Sequence, residues 1–164
     1  MRIIHNVGMR FEHEPGSWIE VVDARPARDG WAVLTRDGSL LGTRVDLEGL
    51  QGTLELHLSP DEQFAAVVER FGQFGRVFEL STGHKTMDLD RGDYHPETSV
   101  HPAAFFTLDG RTLLVHGTDW NRLDVSDPET GEVMTTREPT SCVDAGDVPE
   151  HYLDYFHAGL SVSP

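Results

Sequence analysis

The sequence contains a single cysteine, Cys142, in 164 residues. A lone thiol excludes an intrachain disulfide and any cysteine-built zinc site. In its polar loop, Cys142 reads as a passive residue rather than a nucleophile. Positive charge is also scarce: 13 Lys and Arg stand against 28 Asp and Glu, a formal net charge of −15. Affinity for a phosphate backbone comes from Lys and Arg displacing counterions, so no nucleic acid is expected as a partner. The same charge disfavours an anionic membrane leaflet. No stretch approaches the ~18 apolar residues of a membrane span, and MRIIHNVGMRFEHEPGSW has no apolar run of signal-peptide length. The chain is read as soluble and cytoplasmic. Reaction motifs are missing too. There is no Gly-x-Ser-x-Gly elbow and no His-Glu-x-x-His, and FGQFGR lies between expected strands as a hairpin turn rather than before a helix as a phosphate loop.

Sustained helical spacing of apolar residues is likewise absent, so an all-β chain is expected. What the sequence has instead is one unit written twice between Leu54 and Arg137. Asp61 matches Asp109 at a spacing of 48, and Thr82-Gly83 matches Thr130-Gly131 at the same spacing. Between these anchors, Phe64-Ala-Ala-Val-Val corresponds to Thr112-Leu-Leu-Val-His, and Phe78-Glu-Leu-Ser to Leu123-Asp-Val-Ser. That alignment makes the middle loop longer in the first copy and the loop before Thr130 longer in the second. A period near 50 made of four short strands is the signature of a propeller blade.

Three blade-like units follow from this period, at about residues 18–50, 54–89 and 103–137, with the start of a further one at 151–164. In the first, Trp31-Ala-Val-Leu-Thr and Leu40-Leu-Gly-Thr flank Asp37-Gly38, a hairpin signal that places Trp31, Val33 and Leu41 inward. Asp23 to Asp29 reads as a loop by composition. In the two clear copies, alternation selects Leu56, Leu58, Ala66, Val68, Phe78, Leu80, Phe106, Leu113, Val115, Leu123 and Val125 as the core. Gly159-Leu-Ser-Val-Ser-Pro repeats the opening Leu56-His-Leu-Ser-Pro about 104 positions on. The expected architecture is therefore four-stranded antiparallel blades forming an incomplete ring within one chain, because a ring needs about four or more blades.

The run SPDE, then an apolar strand, then VFELSTGH resembles the Ser-Pro-Asp-Gly…strand…Thr-Gly pattern of bacterial WD-repeat-like β-propellers. The second copy, with LDG, RTLLVHGTDW and LDVSDPETGE, is similar to the same pattern. Neither copy ends its third strand in Trp-Asp, and the Gly-His opening is missing, which sets the chain outside the strict WD-repeat type. The resemblance implies a scaffold or recognition role, with binding on the faces or channel of a ring.

Candidate binding residues sit in the connectors: Tyr94, His95 and His101; Trp120 and Arg122; Tyr155 and His157. Asp119-Trp-Asn-Arg offers an aromatic platform with polar donors, or alternatively a structural turn in which Arg122 pairs with a nearby acid. The aromatic segment from His151 to His157 suits a contact surface. The expected function is a non-enzymatic interaction or scaffold module, with a protein partner or self-association and neither cofactor nor metal. Two rivals come from other classes. One is a metal-dependent hydrolase drawing on Asp88, Asp90, Asp93, His95 and His101, with Asp93, His95 and His101 as ligands, since imidazoles and carboxylates suit zinc, iron or manganese. The other is a structural subunit that completes a ring by oligomerisation.

Overall fold

The computed structural model describes residues 9–14, 17–92, 99–119 and 122–135, and every regular element in them is a strand. Strands β1 (Met9–Glu14), β2 (Ser17–Ala27) and β3 (Gly30–Thr35) form one antiparallel sheet, with a short ribbon of β4 (Ser39–Leu40) and β5 (Thr43–Arg44) beside it. A four-stranded antiparallel meander follows: β6 (Leu54–Leu58), β7 (Phe64–Glu69), β8 (Phe74–Glu79) and β9 (Lys85–Asp90). The third sheet contains β10 (Ala103–Leu108), β11 (Arg111–Asp119) and β12 (Arg122–Ser126), and Val133 adds a bridge to Ser126.

The three sheets stack in sequence order, and the second is covered on both faces. Strand β7 shows this best, because all six of its residues are buried and Ala65 to Val68 are 0% exposed. Successive side chains of a strand point to opposite faces. Ala65 and Val67 accordingly join Leu54, Leu56, Phe78 and Leu80 in a cluster with Ala32, Leu34, Leu40 and Val45 of the first unit. Ala66 and Val68 join Phe64, Val77 and Leu89 in a second cluster with Ala103, Phe105 and Leu114 of the third sheet. A run of small and β-branched residues such as Ala-Ala-Val-Val fits a two-sided position, where bulk on either face would hold the sheets apart.

This stacking corrects the core expected from one-sided alternation. Leu56, Ala66, Val68, Phe78, Leu80 and Leu113 are buried, but Leu58, Phe106, Val115, Leu123 and Val125 are only half-buried. The half-buried residues of the third sheet lie on the face turned away from Leu114 and hence from the second sheet. In the first unit, the expected inward set is reversed. Trp31 is 64% exposed and Leu41 44% exposed, while Ala32, Leu34 and Leu40 point into the cluster. A one-residue change of phase turns a strand's whole apolar set to the other face. The expected Asp37-Gly38 hairpin also fails as a ladder, since β3 pairs with β2 and β4 pairs with β5. Finally, β2 runs on through Asp23 to Ala27, the stretch whose composition suggests a loop. Tertiary contacts of Asp23 and Arg25 override that local preference.

The two Thr-Gly turns match in space. The Glu79 N–H donates to the His84 carbonyl and the Gly83 N–H to the Glu79 carbonyl; Asp127, Glu132 and Gly131 make the same pair of bonds at an offset of 48 throughout. His84 N–H to Thr82 Oγ1 is likewise repeated by Glu132 N–H to Thr130 Oγ1. Gly83 and Gly131 share the left-handed conformation, with φ of 75° and 74°. The extra residues expected before Thr130 are therefore not an insertion, and Ser126 rather than Leu123 is the counterpart of Phe78. Both turn glycines also rest on the preceding unit. A side chain on Gly83 would meet the Arg44 carbonyl, and one on Gly131 would meet Met87 and Thr86.

Candidate functional site

Two seams between the sheets collect the polar side chains that packing alone does not explain. At the first, β6 is the end strand of its sheet, and its outer backbone edge needs partners. Strand β2 supplies them with side chains. Asp23 Oδ2 accepts the Leu56 N–H at 2.8 Å, and Arg25 Nε donates to the Leu56 carbonyl at 2.8 Å. Arg25 Nη2 also donates to Glu55 Oε1 at 2.8 Å. One carboxylate and one guanidinium thus clasp both backbone groups of a single residue and end the sheet there.

The second seam, between β6–β9 and β10–β12, holds three histidines and an arginine. His57 shares a face of β6 with Glu55, and its Nε2 is buried without a hydrogen-bond partner. Burial pulls its pKa below the usual value, against the pull of Glu55 in the other direction and with a smaller push from Arg25. His101 lies just before β10 and is 0% exposed. Its backbone N–H donates to the Arg70 carbonyl at 2.8 Å, which ties it to the end of β7. The Gly72 carbonyl is close enough to favour a charged ring slightly, yet neither ring nitrogen makes a hydrogen bond of acceptable geometry. Burial first, then the Arg91 guanidinium and the rings of His116 and His57, push the pKa of His101 down to about 3. It is neutral at pH 7.

Arg91, itself buried, donates from Nε to the Gly72 carbonyl at 2.7 Å and from Nη1 to Ser99 Oγ at 2.7 Å, joining the ends of two loops. His116 on β11 has a defined tautomer. Its Nδ1 faces the Gly117 carbonyl at 3.2 Å, which can only accept, so Nε2 is left to accept from Ser126 Oγ at 2.9 Å. Burial holds this imidazole below its usual pKa. Behind it, Asp124 Oδ2 accepts from Thr118 and from Arg122 Nε, and these bonds outweigh burial to keep its carboxyl low. The seam is a buried row of neutral imidazoles with an ion pair at one end. Ser126 Oγ donates to the His116 imidazole as a nucleophile does to its base, but both side chains are buried, which closes the pair to a substrate. The hollow of about 590 Å³ lined by Arg36, Asp46, Leu47, Glu48 and Leu50 belongs to the first seam instead.

Of the residues singled out in the sequence, the structure brings His101 and Arg122 to this seam, one buried and the other tied to Asp124. Tyr94, His95, Trp120, Tyr155 and His157 lie outside the described residues, as does Asp93. The other members of the expected metal cluster are engaged elsewhere. Asp88 pairs with Lys85 and Arg76, and Asp90 accepts from Gln73 and the Gly92 N–H. Among the described residues, no three His, Cys, Asp or Glu side chains converge as metal ligands. Sequence reasoning missed His57, His116, Asp23 and Arg25. A signal was present for His57, which shares with Glu55 the face of LELHL opposite its three leucines.

Comparison with protein-family models and with curated proteins yields no match for the chain. No helix among the described residues is long and apolar enough to cross a membrane.

Proposed function

We propose that the chain is a non-enzymatic interaction module of β-propeller type, resembling the bacterial WD-repeat-like proteins in its turn chemistry. The observation that carries this reading is the two-sided burial of the second sheet, with each Thr-Gly turn resting on the unit before it at a constant offset of 48. Stacked four-stranded meanders related by a fixed repeat are the construction of a propeller. In such an array each face packs on a neighbour. The half-buried apolar face of the third sheet (Phe106, Val115, Leu123, Val125) is then a place for association. The rival metal hydrolase gains no support from the positions of Asp88, Asp90 and His101. The ring-completing subunit is favoured by the same apolar face and differs only in taking a second copy as its partner.

Light scattering on a sizing column tests the reading. The full chain is expected to run as an assembly heavier than its 18.3 kDa monomer. Val125→Lys and Val115→Lys should reduce that mass to the monomer while leaving the far-ultraviolet strand signal unchanged. A wild-type chain that is monomeric at tens of micromolar, and whose lysine variants behave identically, overturns association through this face.

A further inference from the structure

We propose that the seam between the second and third sheets is an acid-operated latch, closed while His101 is neutral and released when it takes up a proton. Geometry carries the proposal. The His101 ring is wholly enclosed, neither of its nitrogens has a hydrogen-bond partner, and its backbone fixes the start of β10 to the end of β7. Two residues later, Ala103 enters the cluster that glues the two sheets together. At the far end of the seam, Thr112 Oγ1 donates to Asp61 Oδ2. His101 and this pair are polar ties at opposite ends of the seam, and of their three side chains only the imidazole titrates near neutrality once exposed.

Among the described residues, the charged groups that act on it give a new charge little shelter. The Arg91 guanidinium faces it from the segment after β9, His116 from β11 and His57 from β6, all cationic or able to become so. The nearby carboxylates act on other groups: Glu55 and Asp23 on His57, with Arg25 clasped between them, and Asp124 on His116 with Arg122. A proton on His101 thus meets like charge among the described residues, with the Gly72 carbonyl, already accepting from Arg91 Nε, as its acceptor. Water becomes available to it when the seam parts. The sign follows from the depressed value in the closed form. The seam is at full strength above the ordinary histidine value of 6.5 and weakens progressively as pH falls from there toward about 3. For a single site with these two values, the open form gains roughly thirtyfold between pH 7.5 and pH 5.

Amide hydrogen exchange on the full-length chain, corrected for the intrinsic effect of pH, tests this. The wild-type amides of His101, Gly117 and β10 should lose about thirtyfold in protection between pH 7.5 and pH 5, while Val68 and Val77 inside the second sheet hold theirs. His101→Leu, in which only His57 and His116 are left to titrate, should lose clearly less. Unchanged wild-type protection at pH 5, equal loss in His101→Leu, or equal loss throughout the second sheet would each overturn the latch. Imidazole nitrogen NMR of the wild-type protein decides the same question without a variant. His101 should stay neutral through pH 5, because only the rare open form takes the proton, and a ring that titrates near 6.5 while β10 keeps its protection refutes the mechanism.

Discussion

Replacing Val67 with alanine separates a sheet buried on two faces from one buried on a single face. Strand alternation that puts Ala66 and Val68 in the core leaves Val67 pointing to solvent, where its loss costs at most about 1 kcal/mol, the full span of strand propensity. In the structure Val67 is 0% exposed and packs in the cluster shared with the first unit, while Val68 is equally buried in the cluster shared with the third sheet. Each substitution removes two methyl groups. At about 0.8 kcal/mol per buried carbon, with up to a similar amount for the cavity left in a close-packed interior, each should cost about 2–3 kcal/mol. In a domain of this size that corresponds to about 5–10 °C in Tm. Urea denaturation of Val67→Ala and Val68→Ala, compared at constant m-value, measures it. Two similar losses support the stacked arrangement. A loss for Val68→Ala with Val67→Ala close to wild type would refute it.

Three further outcomes are expected, all read by the same denaturation assay. Gly83→Ala and Gly131→Ala both force a side chain into a left-handed turn, but Gly83 would also drive its Cβ to 2.2 Å from the Arg44 carbonyl, whereas Gly131 meets only ordinary contacts. The first should therefore cost at least about 2 kcal/mol more than the second, whose cost stays near the ~1 kcal/mol of the backbone strain. Arg25→Ala strips the Leu56 carbonyl and Glu55 of a charged donor, and a loss of about 2 kcal/mol is expected, against nearly none if the clasp is solvated. Leu41 holds a positive φ of 49° with an exposed side chain, so Leu41→Gly should leave stability unchanged or raise it by up to about 1 kcal/mol, and a clear loss would show that its side chain packs.

Much of the strand order was legible because turn residues repeat. Thr82-Gly83 and Thr130-Gly131 match in their hydrogen bonding, whereas Asp61 lies inside a longer turn than the two-residue Asp109-Gly110 one. Phe64 to Glu69 form a strand because β6 and β8 pair with them on either side. What alternation could not show was that both faces of β7 are covered, since that depends on sheets distant in the chain. The same limit hid the extension of β2. Asp-Ala-Arg-Pro is loop-like by composition, yet Asp23 and Arg25 are held straight by the backbone of Leu56, more than thirty positions away. Among the site residues, His101 and Arg122 were identified by type and connector position. The pairing of Arg122 with Asp124, two positions along the same strand, is the structural alternative weighed for that turn, whereas the burial of His101 depends on a sheet distant in the chain, which no local spacing reveals.

The central claim is that three consecutive sheets stack face to face with the second between its neighbours. Methyl NOE spectroscopy on a selectively labelled sample reads it directly at two adjacent residues. The Val67 methyls should show contacts to Leu34, Leu40 or Val45 of the first unit and none to the third sheet, and the Val68 methyls should show contacts to Phe105 or Leu114 and none to the first unit. If either valine shows no contact beyond its own sheet, the second sheet has an open face and the stacked account is wrong.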